Sequence, residues 1–499
     1  MIPKKMALAA LCASVSWTGM AIGQAAQQVS PSDKVEEAVD IALKRPGTYR
    51  LHNVEEAQKL FDEQQEIGEG NSIGDVPGYF RNMVYDAEPA ILPAGTDTAT
   101  LQAALDAAST EINGGVVRLE AGDYELGTVH LRSNTRLEID PGATIKMQDI
   151  ALFVAGRGLT ATTAGRAEQV INFEVTSTHP TEQFTIDASH KKAKSHNGPF
   201  LIASAKNFAI SNAKVLDNYT ILSQVFLIAD SDTEVGAKEI DGEIVRNISF
   251  DRCPEFGVVQ NIEGHKQHTG YGTVQVFCGE NLYLADITGY GGVTLRLEPG
   301  SGPDHLNKSG KYIGAMRDIK VENITNVEGF TALYLKPHSK EIYNVEAKDI
   351  YGIDSGFALM VDYGNQNPDD PYFGRGHFHN TKVSGEISLK KTKDGENSRV
   401  GRMALFYIAD ETRAGRHEWE MYTPDPSGGR WKTSDVVVPV LLASEMTAED
   451  VGDWHQGLYK IDLSEANISG ENLIRDELIL YRGDTKNFDG TVNVKKINQ

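Results

Sequence analysis

The chain predicts an all-β fold: a right-handed parallel β-helix with an N-terminal helical cap and an additional small C-terminal or inserted domain. Three observations predict it. A pattern of the form Asn/Asp-Φ-x-Φ-x-x-Φ, with Φ apolar, recurs as NFAISNA from Asn207, NISFDRC from Asn247, NLYLADI from Asn281, DIKVENI from Asp318 and NVEAKDI from Asn344. The spacings are 40, 34, 37 and 26 residues, the shortest close to one bare coil and the longer ones leaving room for loops. An apolar helix followed by short strands and turns stands ahead of the repeats, where the open end of a solenoid core needs a cover. A leucine-rich repeat would have a shorter, stricter period, and a propeller would show antiparallel blades.

Taken in order, residues 1–23 read as an export signal. Lys4 and Lys5 form a positive start, Met6 to Val15 an apolar stretch too short to span a bilayer, and Ala21, Gly23 and Ala25 offer cleavage sites. No later segment is apolar for long enough to cross a membrane, so the expectation is a secreted, extracellular protein with no membrane partner. Residues 24–95 form a polar, partly helical cap segment, with Val35, Ala38, Val39 and Ala42 at helical spacing. The β-helix is expected over 96–365. It begins with a helix whose N-cap candidate is Thr98 and whose apolar face is Leu101, Ala104, Leu105 and Ala108. Strands follow at Val116–Leu119, Thr128–Leu131 and Thr135–Ile139, separated by Gly, Asp, Asn and Pro. The repeats come next; their alternating apolar positions face inward, and the recurring Asn or Asp sits at a turn where it can stack in a ladder. Residues 366–460, with Trp419, Trp431 and Trp454, read as an accessory domain at the groove, and 461–499 as final strands, among them ELILYRG at 477–483 and TVNVKKI at 491–497.

The formal net charge of −22 becomes −24 once Lys4 and Lys5 leave with the signal. Such acidity argues against a nucleic-acid partner and requires that any polyanion be met by a local cluster of cations. Of three cysteines, Cys253 and Cys278 remain, 25 residues apart. That is about one coil, so a bridge between stacked coils or two buried small thiols both fit. No CxxC or His/Cys cluster suggests zinc.

The strands that succeed the repeats carry the candidate chemistry. In VTLRLE (293–298) Leu295 and Leu297 face the core, so Arg296 and Glu298 face out. By the same parity Tyr334 and Lys336 of ALYLK and Met360 and Asp362 of ALMVD face out, as does Gln275 of TVQV. Gln275 and Glu298 are 23 residues apart, about one coil, and so lie on neighbouring rungs ~4.8 Å apart. His338 lies just beyond its strand, and loops at 261–272, with His265, His268 and Tyr271, and at 299–312 would wall the column. Each member has a plainer alternative: outward Glu, Arg and Lys on a coil are usually solvated or guard a sheet edge, and loop His are usually solvated. Convergence of acid, amide and cation between two loops is what singles this column out.

At these residues the chain resembles the iota-carrageenase family of β-helix glycoside hydrolases, over the cap at 98–146 and the central coils from about 198 to 364. The resemblance rests on Gln275, Arg296-Leu297-Glu298 one coil later, and His338 on the next strand. It implies that Glu298 is the general acid, that Gln275 and His338 organise the centre, and that Arg296 contacts a sulfate; the position of Lys336, Tyr334, Tyr271 and His265 along the groove adds them as expected substrate contacts. It implies inverting cleavage of β-1,4 linkages between galactose 4-sulfate and 2-sulfated anhydrogalactose. No cofactor is implied for the chemistry, but structural sodium or calcium is, and so is a domain that closes over the cleft. The partner is then a sulfated galactan, met by a monomer. The sequence departs from the family at the general base: the usual Asp two residues after the acid is Gly300 here, leaving Asp362 or Asp304 for that role. Metal ligands are not legible, although Asp230, Asp232 and Asp241 could supply oxygens. A polygalacturonase reading is weaker, because its paired Asp, Gly-His-Gly and Arg-Ile-Lys are not placed on consecutive coils. A lyase using Lys336 or His338 as base, and a non-catalytic carbohydrate-binding β-helix, remain alternatives.

Overall fold

The computed structural model describes residues 76, 78–80, 85, 87–156, 169–228, 238–240, 243–245, 253–299, 316–337, 342–362, 378–392, 398–401, 430–433, 438–442, 459–473 and 476–481. Within them the chain winds as a right-handed parallel β-helix whose coils contribute to three parallel sheets. Sheet A stacks Ala151–Ala155, Gly198–Ile202, Val225–Leu227, 274–276, 293–297, Thr331–Leu335, Phe357–Val361, Val440–Leu442 and Ile479–Tyr481. Sheets B and C are the two successive parts of long bent strands, among them Ala205–Leu216, Glu255–Val276, Gly279–Leu297, Met316–Val327, Ile342–Ile353 and Phe378–Lys390, with Glu255–Val276 and Gly279–Leu297 running on into sheet A.

Alternation decides what goes inside. Leu282, Leu284 and Ile287, then Ile319, Val321 and Ile324, then Val345, Ala347 and Ile350 repeat at matching positions of successive coils, and all are buried. Side chains of like kind therefore stack along the axis, as Phe153 does on Phe200 (5.3 Å between ring centroids) and Phe173 on Phe208 (5.6 Å). Each ring fully removed from water contributes about 2–3 kcal/mol of transfer free energy. Stacking also dictates residue size: at Gly257, the rung above Phe208, any Cβ would stand 2.2 Å from that ring.

The bends are made by residues in the left-handed region. Asn172, Asn207, Phe256, Asn281, Asp318, Asn344 and Asn380 take φ of 50–55° at one corner. Asn and Asp tolerate this conformation because their short polar side chains bond locally. Asn172 donates to Asn134 (3.0 Å), Asn207 to Asn172 (2.8 Å), Asn344 to Asp318 (2.9 Å) and Asn380 to Asn344 (3.1 Å), so the expected ladder exists. One expected rung is corrected. Register joins Phe208 to Gly257, so the coil above Asn207 turns at Phe256; Asn247 lies outside the described residues.

A second ladder runs five residues on, at Asn212, Asn261, Asp286, Asn323, Asp349 and Gly385, all with positive φ. Asn261 donates to Asn212 and Asn323 to Asp286, both at 2.7 Å.

The cap is the helix Thr98–Thr110, which lays Leu101, Leu105 and Ala108 on the open core end. Its N-cap is Asp97, not Thr98: the Asp97 carboxylate accepts from the Thr100 N–H at 2.8 Å, whereas Thr98 is already helical and its hydroxyl accepts from the Gly127 N–H. Two boundaries also move. The stretch expected as a wall loop at 261–272 is part of the strand Glu255–Val276, irregular in register between His265 and Gly272. The solenoid runs past 365, since Phe378–Lys390 and Val440–Leu442 pair with preceding coils and Ala466–Glu471 and Ile479–Tyr481 continue them. Of the expected accessory domain, the antiparallel pair Ser398–Gly401 and Arg430–Thr433 is described; its tryptophan-bearing remainder, the export signal, most of 24–95 and the 491–497 strand lie outside the described residues. Cys253 and Cys278 are buried free thiols; burial first, and then the Cys253 side chain, pushes the Cys278 thiol up. Among the described residues no helix is long and apolar enough to cross a membrane.

Candidate active site

The outer face of sheet A departs from the solvated surface expected of a β-helix. Gln275, Arg296, Tyr334 and Met360 are register partners on four successive coils. Immediately after three of these strands come Glu298, Lys336 and Asp362. Their backbone N–H groups donate to Val276, Leu297 and Leu335 of the preceding coils, so these three side chains also follow one another rung by rung. Two parallel columns result, one led by Gln275 and one by Glu298.

The columns converge on the Glu298 carboxylate, which is 1% exposed. Arg296 approaches Glu298 Oε2 at 2.5 Å and Gln275 Nε2 donates to the same oxygen at 3.3 Å. On the other oxygen, Lys336 Nζ stands 3.9 Å from Oε1, and the same ammonium is 4.0 Å from Asp362 Oδ2. Asp362 accepts from the Tyr334 hydroxyl at 2.7 Å. The Tyr334 ring in turn lies under the Arg296 guanidinium, 5.3 Å away. Two carboxylates and two cations, all largely removed from water, therefore share one amide and one phenol.

The bent part of Glu255–Val276 closes one side. Arg296 Nη1 donates to the Gly270 carbonyl, and Tyr271 is close enough to act on the guanidinium electrostatically. Burial opposes the Arg296 charge, but Glu298, Tyr334 and Tyr271 outweigh it and hold the guanidinium above its ordinary range. Tyr271 packs edge-on against His268 at 5.3 Å.

The sequence-derived set divides accordingly. Gln275, Arg296, Glu298, Tyr334, Lys336 and Asp362 come together, with Tyr271 beside them. The structure refines one relation: the rung partner of Gln275 is Arg296, and its amide reaches Glu298 diagonally. His265 is held elsewhere, on the outer face of sheet C, bonded to Glu263 at 2.6 Å and stacked on Tyr290 at 4.4 Å, because the irregular stretch after it turns the chain before sheet A begins. His338, Gly300, Asp304 and the 300–312 loop lie outside the described residues, as do Asp230, Asp232 and Asp241. Among the described residues no group of three or more His, Cys, Asp or Glu side chains could hold a metal ion. Sequence reasoning missed Ser223, whose hydroxyl donates to Gln275 Oε1 at 2.8 Å. It lies 52 residues before Gln275 in a turn, where no periodicity points to it.

Comparison with known proteins bears on this arrangement. The chain is 28% identical over 260 residues to an iota-carrageenase of Zobellia galactanivorans, a match covering 50% of this chain and 46% of that one. It is 24% identical over 268 residues to an iota-carrageenase of Alteromonas macleodii, covering 54% and 50%. The chain is similar to the iota-carrageenases. These matches span about half the length of the curated relatives. An iota-carrageenase structure in complex with iota-carrageenan fragments superposes with a TM-score of 0.61 at 16% identity, covering 84% of this chain and 98% of that one. A second solved iota-carrageenase, from A. fortis, gives 0.60 at 16% identity over 82% and 93%. At such identities the superpositions speak for the shared fold. No family model matches the chain.

Proposed function

We propose that the chain is a secreted, monomeric endo-acting glycoside hydrolase. Its substrate in this reading is iota-carrageenan, cut with inversion at β-1,4 linkages between galactose 4-sulfate and 3,6-anhydrogalactose 2-sulfate. The observation that carries the reading is the convergence of Gln275, Arg296 and Lys336 on Glu298, with a second carboxylate, Asp362, farther along the same column.

In the reaction Glu298 gives its proton to the glycosidic oxygen as the bond from the anomeric carbon to that oxygen breaks. A water attacks the anomeric carbon from the opposite face, and Asp362 takes the proton that this water loses. Lys336 Nζ is 3.9 Å from Glu298 Oε1 and 4.0 Å from Asp362 Oδ2, so these carboxylate oxygens are under about 8 Å apart, below the upper limit of the roughly 6.5–9.5 Å that leaves room for such a water. It thereby fills the role of the family Asp whose position is Gly300 here. Tyr334 orients Asp362 through its hydroxyl.

Arg296 and Lys336 set the proton inventory. Two cations against one carboxylate favour its charged form, whereas a general acid must hold a proton. Substrate sulfates resolve the conflict: they draw both cations into charge-assisted bonds and leave Glu298 free to be protonated. Binding and proton uptake are then linked, and the acid is armed when the polymer is in place.

Product analysis on iota-, kappa- and lambda-carrageenan tests the assignment, with the Glu298→Gln variant alongside. New reducing ends from the iota form alone are expected, with polymer binding retained and cutting abolished in the variant. Products absorbing near the ultraviolet edge would indicate an elimination by a lyase instead, and no products from any sulfated or uronate polymer would indicate a binding protein.

A further inference from the structure

Resting on that reading, we infer that Ser223 is a positioning residue: it holds the Gln275 amide in the single orientation that presents its NH2 group to the Glu298 carboxylate. Ser223 is fully buried in a turn just before Val225–Leu227, the strand of sheet A that precedes the one bearing Gln275. The Gly272 backbone N–H donates to Ser223 Oγ at 3.1 Å, and Ser223 Oγ donates to Gln275 Oε1 at 2.8 Å. Gln275 Nε2 then donates to Glu298 Oε2 at 3.3 Å.

The sense of the bonds in this relay follows from its two ends together. A backbone N–H can only donate, so Ser223 Oγ must accept from Gly272, and its one proton is left for Gln275. At the other end the ionised Glu298 carboxylate can only accept, so the NH2 end faces it and Oε1 is left for the Ser223 proton. Reversing the amide would place its oxygen against a carboxylate and leave the Ser223 hydroxyl without an acceptor in a buried site. The relay begins at a rigid point, since a Cβ at residue 272 would stand 2.4 Å from the Val293 carbonyl oxygen and only glycine brings that N–H so close. A carboxamide has no charge to orient it, so its geometry depends on whichever partner holds its far end. Here that partner comes from the preceding coil.

The test compares Ser223→Ala, Gln275→Ala and the double variant. In Ser223→Ala kcat should fall about tenfold with KM unchanged within about twofold. The alkaline limb of the kcat/KM profile should move to higher pH, because a donor to the Glu298 carboxylate is loosened. The double variant should match Gln275→Ala alone, since a residue acting through Gln275 has nothing further to lose. Ser223→Cys, which keeps size and a weak donor, should fall between the wild type and Ser223→Ala, and stands in if the alanine variant does not fold. A crystal structure of Ser223→Ala reads the relay without turnover, and should show the Gln275 amide turned away from Glu298. Wild-type activity in a folded Ser223→Ala protein, multiplied losses in the double variant, or an unmoved amide would each overturn the inference. A wild type inactive on sulfated galactans would instead overturn the proposed function, and the amide orientation would still decide the role of Ser223.

Discussion

Two rows of charge on the outer faces of this solenoid make a contrast, and one of them is the candidate active site. On the N-terminal coils of sheet B, Arg118 pairs with Glu138 at 2.6 Å, and Arg136 lies between Glu138 (3.2 Å) and Glu174 (3.3 Å). Charges of opposite sign alternate up the rungs. On sheet A the same inventory, two cations and two carboxylates, is arranged differently. Glu298 gathers Arg296 and Gln275 on one oxygen, while Lys336 sits loosely between Glu298 and Asp362. In the first arrangement each carboxylate is met by an arginine at 2.6–3.3 Å. In the second, one carboxylate is surrounded by donors, and a cation shared at 3.9–4.0 Å can leave for a stronger anion. Charge on a coil surface therefore says little about function; how the donors are distributed over the carboxylates says more.

Perturbing the two regions should separate them, and the largest effect is expected at Glu298. Glu298→Gln should lower kcat at least ~1,000-fold, measured by reducing-sugar release on a variant that calorimetry shows to be folded. Asp362→Asn should lower kcat by roughly 100-fold. Added azide rescuing this variant would support a base role, and an unchanged rate would remove Asp362 from the mechanism. Arg136→Ala is the converse case. Leaving buried Glu174 short of a cation should cost about 3 kcal/mol of stability in denaturant unfolding while kcat stays at the wild-type level. A fall in kcat without a fall in stability would erase the contrast between the regions.

Smaller effects probe the scaffold between them. Asp217, which accepts from Thr220 N and Oγ1, has its carboxyl raised by burial to about 6. A carboxyl raised on folding stabilises most when protonated, so its contribution is full below about pH 4 and is lost as pH rises through 6. Asp217→Asn should flatten the melting temperature between those limits, by a difference on the order of 2 kcal/mol. Asn344→Ala should cost about 1 kcal/mol, through loss of its bonds to Asp318 and Asn380 and a non-glycine, non-Asn residue at φ 51°.

Much of this was legible because a stacked coil repeats its environment. The apolar alternation placed Leu295, Leu297, Leu333 and Leu335 inside, and the same parity put Gln275, Arg296, Glu298, Lys336 and Asp362 on one outer face. The corner residues Asn207, Asn281, Asp318 and Asn344 were read correctly. The error at Asn247 also had a visible signal. In the described rungs the sixth residue of the repeat is again Asn or Asp, at 212, 286, 323 and 349, because each coil has a second left-handed corner. The peptide from Asn247 has Arg252 there, whereas the one from Phe256 has Asn261. The rung was missed because the steric requirement lies in the backbone, and Phe256 meets it without the Asn signature.

By itself the sequence determined the parallel β-helix, the helical cap and the membership of the outward column, since these follow from periodicity and strand parity, which are local properties of the chain. Tertiary structure alone decided that Gln275 reaches Glu298 diagonally, that Lys336 lies between two carboxylates, that His265 faces another sheet, and that Ser223 holds the amide. Those relations depend on coil lengths and on the irregular stretch between His265 and Gly272. A shift of one or two residues there changes which side chains meet and leaves the repeat itself unaltered.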